Sequence, residues 1–400
     1  MSRIAVRATP AGVRHVRSGH PWLFDGSIAS MSREGEAGEL AVVFDKDRRF
    51  AGIGLYDPDS PIRVKLLHHG DPITIDEAFW RTKVESAFAR RAGLLADPET
   101  TGYRLIHGEN DGLPGLVLDR YGDVSVLKLY SRAWLPHLEA LVPIIDAALP
   151  SRSLIVRYSR AAAPRGSAGP ADASALLGEV PDAPVLFSEH GLLMEADVVR
   201  GQKTGYFLDQ RDNRNRVREL ARGARVLDMF ACSGGFSLAA AAGGAVSVHS
   251  VDLAADALTT ARRNMEHNRG IPAVAACSHR TTTGDAFEVM ERLAAAGETY
   301  DVVIVDPPSF AQRQSSVAGA LRAYGRLTRL GVSLTARGGV YVQSSCSSRV
   351  TADEFFPGIV EHANVAGVRL QELERTGHAV DHPIGFPEGA YLKTLFARRR

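Results

Sequence analysis

The sequence predicts an α/β protein in which a doubly wound, mostly parallel sheet follows a small β-barrel and a mixed α+β domain. Three observations predict it. From about Gly201, apolar strand-like runs alternate with helical patterns, the signature of a parallel sheet covered on both faces. Up to about Gly70, short β-like runs are punctuated by Gly, Pro, Asp and Arg, as in a small barrel. A chain of 400 residues is also too long for one ordinary core. The boundaries are read at 1–70, 71–190 and 191–400.

The barrel strands are "RIAVRA", "ELAVVFDK", "FAGIGLYD" and "IRVKLLHH". A helix follows, in which Ala78, Phe79, Val84, Ala87 and Phe88 recur near helical spacing with charges between them. "RLIHGENDGLPGLVLDRYGDVSVLKLY" reads as strands joined by a tight Asn-Asp-Gly-Leu-Pro-Gly turn. A helix at "LPHLEALVPIIDAAL" and strands at "SLIVRYS" and "LLMEADVV" complete the middle domain, with "AAAPRGSAGPADASA" as a loop. In the last domain "ARVLDMF", "VSVHSVDL", "YDVVIVDPPSF" and "GGVYVQSSCSS" are strands, and "AADALTTARRNMEHN" is a helix. Their distinctive loops all fall at carboxyl ends, where doubly wound sheets bind ligands.

Net charge is +1, so any nucleic-acid site is a local patch rather than a property of the whole surface. Cys232, Cys277 and Cys346 are few, odd in number and far apart. This argues against a disulfide framework and against a Cys-rich metal site, and fits a reducing compartment. The start lacks a signal-peptide apolar core and no run approaches a membrane span. The expectation is a cytoplasmic protein without a membrane partner.

"VLDMFACSGGFSLAA" runs from a strand through Asp228, Phe230, Ser233, Gly234 and Gly235 into a helix. Glycines let a ligand approach the backbone, and the helix start offers free N–H groups. The next strand ends in Asp252, placed to accept both hydroxyls of a ribose. NAD is the first competitor, but the loop is not G-x-G-x-x-G, and without a following lysine it is not a P-loop either. An Asp before the turn suits an adenosine ligand with a cationic aminoacyl tail, and S-adenosylmethionine has that shape. "TGDAFEVM" adds Asp285 for an adenine amino group, with Ala286 and Phe287 against the ring. Taken singly each Asp reads as a helix cap; three on successive strand ends favour the cofactor.

"VIVDPPSF" stiffens a loop whose Asp306 can grip the edge of a flat base. The following strand ends at Cys346. A buried, inert cysteine is the default. At a strand end, a thiolate can instead attack carbon 6 of a pyrimidine and activate carbon 5 for methylation. Ser345, Ser347 and Arg349 are the neighbours expected to support it. Cys232 and Cys277 read as structural.

"KTGYFLDQRDNR", "VLDMFACSGGFSLAAAAGGA", "VIVDPPSF" and "QSSCSS" together resemble the bacterial large-subunit rRNA cytosine-5 methyltransferase family. The resemblance extends through "GHPWLFDGSI", "NDGLPGLVLDRYGD" and "DHPIGFPEGAYLK", nearly the whole chain. It implies a PUA-like RNA-binding domain, a central α+β domain and a Rossmann-like methyltransferase domain. It also implies S-adenosylmethionine as donor, Cys346 as nucleophile, and Tyr206, Asp209 and Arg211 in a segment over the cofactor. Related enzymes carry a second cysteine after the DPP-like loop, where this chain has Pro308-Ser309, which leaves the base for carbon 5 and the release step unassigned.

His20, Trp22 and Phe24 lie beside a basic start that includes Arg14 and Arg17. Flat rings stack on unpaired bases and arginines contact phosphates; as a bland alternative, Trp22 and Phe24 are core. The reading is a cytosine-5 methyltransferase acting on 23S rRNA, with a homodimer left open. The alternatives are methylation of uracil carbon 5 or of a guanine nitrogen, or an RNA-binding assembly protein with a vestigial cofactor pocket.

Overall fold

The computed structural model describes residues 3–163, 169–311 and 313–400, so part of the expected loop around 161–175 lies outside the described residues. The chain forms two compact units. One comprises Met1–Phe187, Ala196–Tyr206 and Asp381–Phe386; the other comprises Ser188–Glu195, Phe207–Val380 and Pro387–Arg400.

The first unit holds two sheets. The four expected strands of the first 70 residues form a six-stranded sheet together with Trp22–Phe24 and Ile28–Met31. A helix at Pro10–Arg17, not foreseen, packs Val13 and Val16 into the core of this sheet with Ile4, Val6 and Leu23. Its start signal was present: Thr9 caps Gly12 N–H and Pro10 takes the first helical position. The second sheet has five strands, between Gly102–His107 and Ala175–Leu177 at its edges. The helices Glu77–Ala89 and Leu138–Ala148 share one core with it, and Leu40, Ile53 and Leu55 from the first sheet enter the same core.

A buried polar cluster pins the returning segment Asp381–Phe386 into this unit. Arg91 and Asp111 form a two-pronged pair at 2.9 and 2.8 Å, with both side chains wholly buried. Arg91 also donates to the Asp381 carbonyl, and Asp381 Oδ2 accepts from Arg104 N–H, each at 2.8 Å.

The second unit is built on a seven-stranded sheet. Its strands are β1 (Arg225–Met229), β2 (Ser247–Asp252), β3 (Ser278–Thr283), β4 (Tyr300–Val305), β5 (Thr335–Ser345), β6 (Leu370–Thr376) and β7 (Lys393–Arg399), ordered 3-2-1-4-5-7-6. The first five are parallel and β7 runs antiparallel between β5 and β6. The helices are α1 (Arg211–Leu220), α2 (Gly235–Ala242), α3 (Ala255–His267), α4 (Ala286–Ala295), α5 (Val317–Leu334) and α6 (Ala352–Val365).

Several elements of this unit were not foreseen in the sequence, among them β3, β6, β7, α4, α5 and α6. β6 and β7 were missed because β6 reads "LQELERT", a charged edge strand. α5 was missed because it carries three glycines; at Gly331 an added Cβ would lie 2.4 Å from the Tyr341 ring, so helix and strand touch there. Ser188–Glu195, which spans the boundary read at 190/191, packs on α3 in the second unit. Asn264 and Asn268 accept from Glu195 and Leu193 N–H at 2.9 Å, and Arg263 and His267 pair with Glu195.

Asp111→Ala strands the buried Arg91 charge and should destabilise the protein by about 3–5 kcal/mol. Asp123→Ala, which breaks the exposed pair with Arg152, should cost under about 1 kcal/mol. Urea unfolding of the two variants checks the contrast.

Candidate active site

The site is organised by the loop from β1 to α2. Phe230 and Cys232 adopt φ of +64° and +48°, and Gly234 adopts +76°. Two non-glycine residues with positive φ cost on the order of 1–3 kcal/mol each and need outside support. Support comes from three sides. Ala231 N–H donates to the Val251 carbonyl at 3.0 Å, Cys232 N–H to Asp252 Oδ2 at 2.8 Å, and Asn264 Nδ2 to the Ser233 carbonyl at 2.8 Å. A Cβ on Gly234 would lie 2.6 Å from Ala261 Cβ, so this glycine admits α3 as closely as it would admit a ligand. Gly235 opens α2.

Asp228, on β1, is wholly buried. Its Oδ2 accepts from Ser237 Oγ at 2.6 Å, and the chain continues through Ser250 Oγ (2.6 Å) to His279 Nε2 (2.8 Å). Its Oδ1 has no hydrogen-bond partner among the described residues. Burial pushes its carboxyl up to about 7, helped by the charges of Asp306 and Asp252 and opposed by Ser237. A buried carboxylate with one idle oxygen at a strand end fits a cationic ligand group.

The other acids are already engaged by backbone. Asp252 Oδ1 accepts from Ala254 N–H at 2.8 Å, so both its oxygens brace loops. Exposed Asp285 caps α4 through Phe287 and Glu288 N–H at 2.9 and 3.2 Å, with Ala286 buried behind it. The capping role weighed in the sequence is therefore real for Asp285, and Oδ2 carries none of these bonds. Beside Asp252, Leu253 is 73% exposed, an apolar surface that the sequence reading passed over.

Asp306 follows β4, and its N–H donates to the Met229 carbonyl at 3.4 Å. Its Oδ1 accepts from Gln210 Nε2 at 2.8 Å. Gln210 in turn accepts from Asn213 Nδ2 at 2.6 Å, and Asn213 bonds Thr376 and Thr394. The Asp306 carboxylate is thus oriented from β6, β7 and α1 through residues that sequence reading did not single out.

Cys346 sits just beyond β5, half-buried, with Sγ 3.7 Å from the Pro307 carbonyl. The end of β5 and the Asp306-Pro307-Pro308 loop therefore meet. Its neighbours are polar: Ser345 Oγ donates to the Tyr324 hydroxyl at 2.9 Å, and Ser347 Oγ to the Ala311 carbonyl at 3.2 Å. Burial, with the charges of Cys346 and Asp306, pushes the Tyr324 phenol well above its ordinary range. Arg349 is exposed. Burial pushes the Cys232 and Cys277 thiols up.

The remaining expected residues are distributed. Tyr206 is buried in the first unit, against Phe187 and with its N–H on the Tyr121 hydroxyl. Asp209 and Arg211 are buried in the second; Asp209 Oδ2 accepts from Tyr391 at 2.9 Å. Trp22 is half-buried, its indole N–H on Glu109 at 2.9 Å, with Phe386 and His20 rings 5.1 and 5.6 Å away. Arg14 and Arg17 are exposed, and Arg17 pairs with Asp45. Among the described residues no cluster of three or more His, Cys, Asp or Glu is placed to hold a metal ion, and no helix is long and apolar enough to cross a membrane.

Residues 113–397 match the S-adenosylmethionine-dependent methyltransferase family, and residues 6–69 match a PUA-like domain. The chain belongs to the S-adenosylmethionine-dependent methyltransferases, in the group that carries an N-terminal PUA-like domain. It is 45% identical to a Deinococcus radiodurans protein described as a ribosomal RNA large subunit methyltransferase, over 98% of this chain and 97% of that one. It is 36% identical to the ribosomal RNA large subunit methyltransferase I of Shewanella denitrificans, over 99% of each. A solved structure from Streptococcus mutans, described as a methyltransferase of the same cofactor class, superposes with a TM-score of 0.84 at 21% identity, over 99% of this chain and 100% of that one. A further solved relative, with a TM-score of 0.83 at 21% identity over the whole of both chains, was crystallised with S-adenosylhomocysteine.

The Asp228 carboxyl lies above its unfolded value near 3.9, so its proton stabilises the fold fully below about pH 4 and less as pH rises through 7. Between pH 5 and pH 8, wild-type protein without donor should lose stability relative to Asp228→Asn, on the order of 2–3 kcal/mol. Urea unfolding at pH 5 and pH 8 checks it; parallel behaviour contradicts it.

Proposed function

We propose that this enzyme methylates carbon 5 of a cytosine in large-subunit ribosomal RNA through a covalent bond between Cys346 and carbon 6. The observation that carries the reading is the meeting of Cys346 Sγ with the Asp306-Pro307-Pro308 loop, 3.7 Å from the Pro307 carbonyl, at the strand-end edge that also carries Asp228. The ribosomal target is drawn from the relatives' descriptions.

Bound S-adenosylmethionine supplies the methyl group that carbon 5 takes. Asp228 pairs with its ammonium, Asp252 with its ribose, and Asp285 with its adenine edge. Phe230, Leu253 and Ala286 cover its apolar surface. Ser233, Gly234 and Gly235 shape the turn beneath it, and Asp209 and Arg211 belong to the segment that closes over it. Asp306, braced by Gln210, grips the amino edge of the cytosine. Cys346 Sγ adds to carbon 6, which concentrates electron density on carbon 5. Loss of the carbon 5 proton and expulsion of the sulfur then restore the aromatic ring. The division of labour is RNA capture by 1–70, with Trp22, Arg14 and Arg17, support by 71–190 and transfer by 191–400.

Cys346→Ala and Cys346→Ser should lower transfer of labelled methyl to ribosomal RNA by about a thousandfold or more, with donor affinity within about twofold of wild type by calorimetry. Nucleoside mass spectrometry of the product should show 5-methylcytidine. An active Cys346→Ala protein, or a methylated uridine or guanosine, contradicts the reading; absent donor binding in the wild type favours a vestigial pocket.

A further inference from the structure

Lys393 is a buried lysine that the proposed reaction does not use, 7% exposed at the start of β7. It lies directly opposite Ser345 in the β5–β7 pairing, one residue before the nucleophile. Its ammonium spends its three protons on three carbonyls: Ser347 at 2.6 Å, Val350 at 2.7 Å and Tyr391 at 3.1 Å. Two of these belong to the turn that leaves Cys346. Among the described residues no carboxylate lies within ion-pair distance of it, in contrast to buried Lys65, which pairs with Asp57 at 2.8 Å. Glu354, the acid of nearest electrostatic influence, is committed to Thr351 at the start of α6.

From this geometry we infer that Lys393 is a positioning residue for Cys346: its ammonium clasps the 347–350 turn and holds an unneutralised positive charge beside the sulfur, which favours the thiolate. The inference rests on Cys346 being the nucleophile. A nearby cation stabilises a thiolate, and a buried one does so with little screening. Tyr324 from α5, bonded to Ser345, is a neutral phenol, and Arg349 is exposed. The electrostatics are consistent. Burial pushes Lys393 down to about 8, while Cys346 and Glu354 oppose that fall. A lysine bonded only to neutral carbonyls also pays the desolvation of its charge without a partner, a cost that a purely mechanical latch could avoid.

The test is the pH profile of alkylation by iodoacetamide, read peptide by peptide with mass spectrometry in the full-length protein. Cys277, whose thiol burial pushes up, is the internal reference. In the wild type, Cys346 should show an inflection below the ordinary thiol value of about 8.5, and Cys277 should not. Lys393→Met should move the Cys346 inflection up by about one pH unit, and Lys393→Arg should restore it. A wild-type inflection at or above that of Cys277 overturns the inference without recourse to any variant, as does an unchanged inflection in a folded Lys393→Met protein. The profile needs no substrate. It can therefore fail while Cys346→Ala still abolishes transfer, or hold while Cys346→Ala remains active, so the role of Lys393 and the role of Cys346 are judged separately.

Discussion

The parallel pairing of β1 with β4 is the constraint on which the rest of the second unit depends. The chain runs from β1 outward to β2 and β3, then returns to β4 on the other flank of β1. This reversal creates a crevice at the carboxyl ends of the two central strands, where side loops diverge. Asp228 lies near the end of β1 and Asp306 just after β4, and the bond from Asp306 N–H to the Met229 carbonyl extends the pairing one step beyond the strand. Each acid influences the other through the low-dielectric interior, which is part of why the Asp228 carboxyl is pushed up. Only then does β5, parallel to β4, deliver Cys346 to the same edge.

Around that edge the chain accepts local cost for placement. Phe230 and Cys232 sit at positive φ, and among the described residues Asp228 is buried with one oxygen unbonded and Lys393 is buried with no carboxylate in ion-pair range. Each is destabilising alone. The compensation is visible nearby: Asp252 and Asn264 fasten the strained loop, and tightly packed Val303, Val305, Tyr341 and Leu327 form a core beneath the sheet. Gln210 and Asn213 illustrate the same economy with polar groups, since their amides link the Asp306 carboxylate to the hydroxyls of Thr376 and Thr394.

Much of this was legible in the residues. The strand-helix alternation located β1, β2, β4 and β5, and the turns after them located Asp228, Asp252, Asp306 and Cys346, because apolar runs and small-residue turns are local signals. What was not legible depends on partners distant in sequence. Gln210 gains its role from a residue 96 positions away and Asn213 from one 181 positions away. Lys393 looks like an ordinary charged residue until β7 is inserted beside β5. α5 carries three glycines that weaken its helical pattern, and Gly331 is where the Tyr341 ring comes to rest. Phe386 likewise joins Trp22 only because Asp381 is buried among Arg91 and Arg104.

The central claim is that the sulfur of Cys346 bonds to the target ring. The most direct measurement offers the enzyme and S-adenosylmethionine a ribosomal RNA substrate in which cytidine is replaced by 5-fluorocytidine. Fluorine cannot leave carbon 5 as a proton does, so the sulfur–carbon 6 bond should persist through digestion. The account predicts a nucleotide-linked peptide that contains Cys346. A linkage at Cys232 or Cys277, or methyl transfer to unsubstituted RNA with no linkage to the fluorinated one, would contradict it.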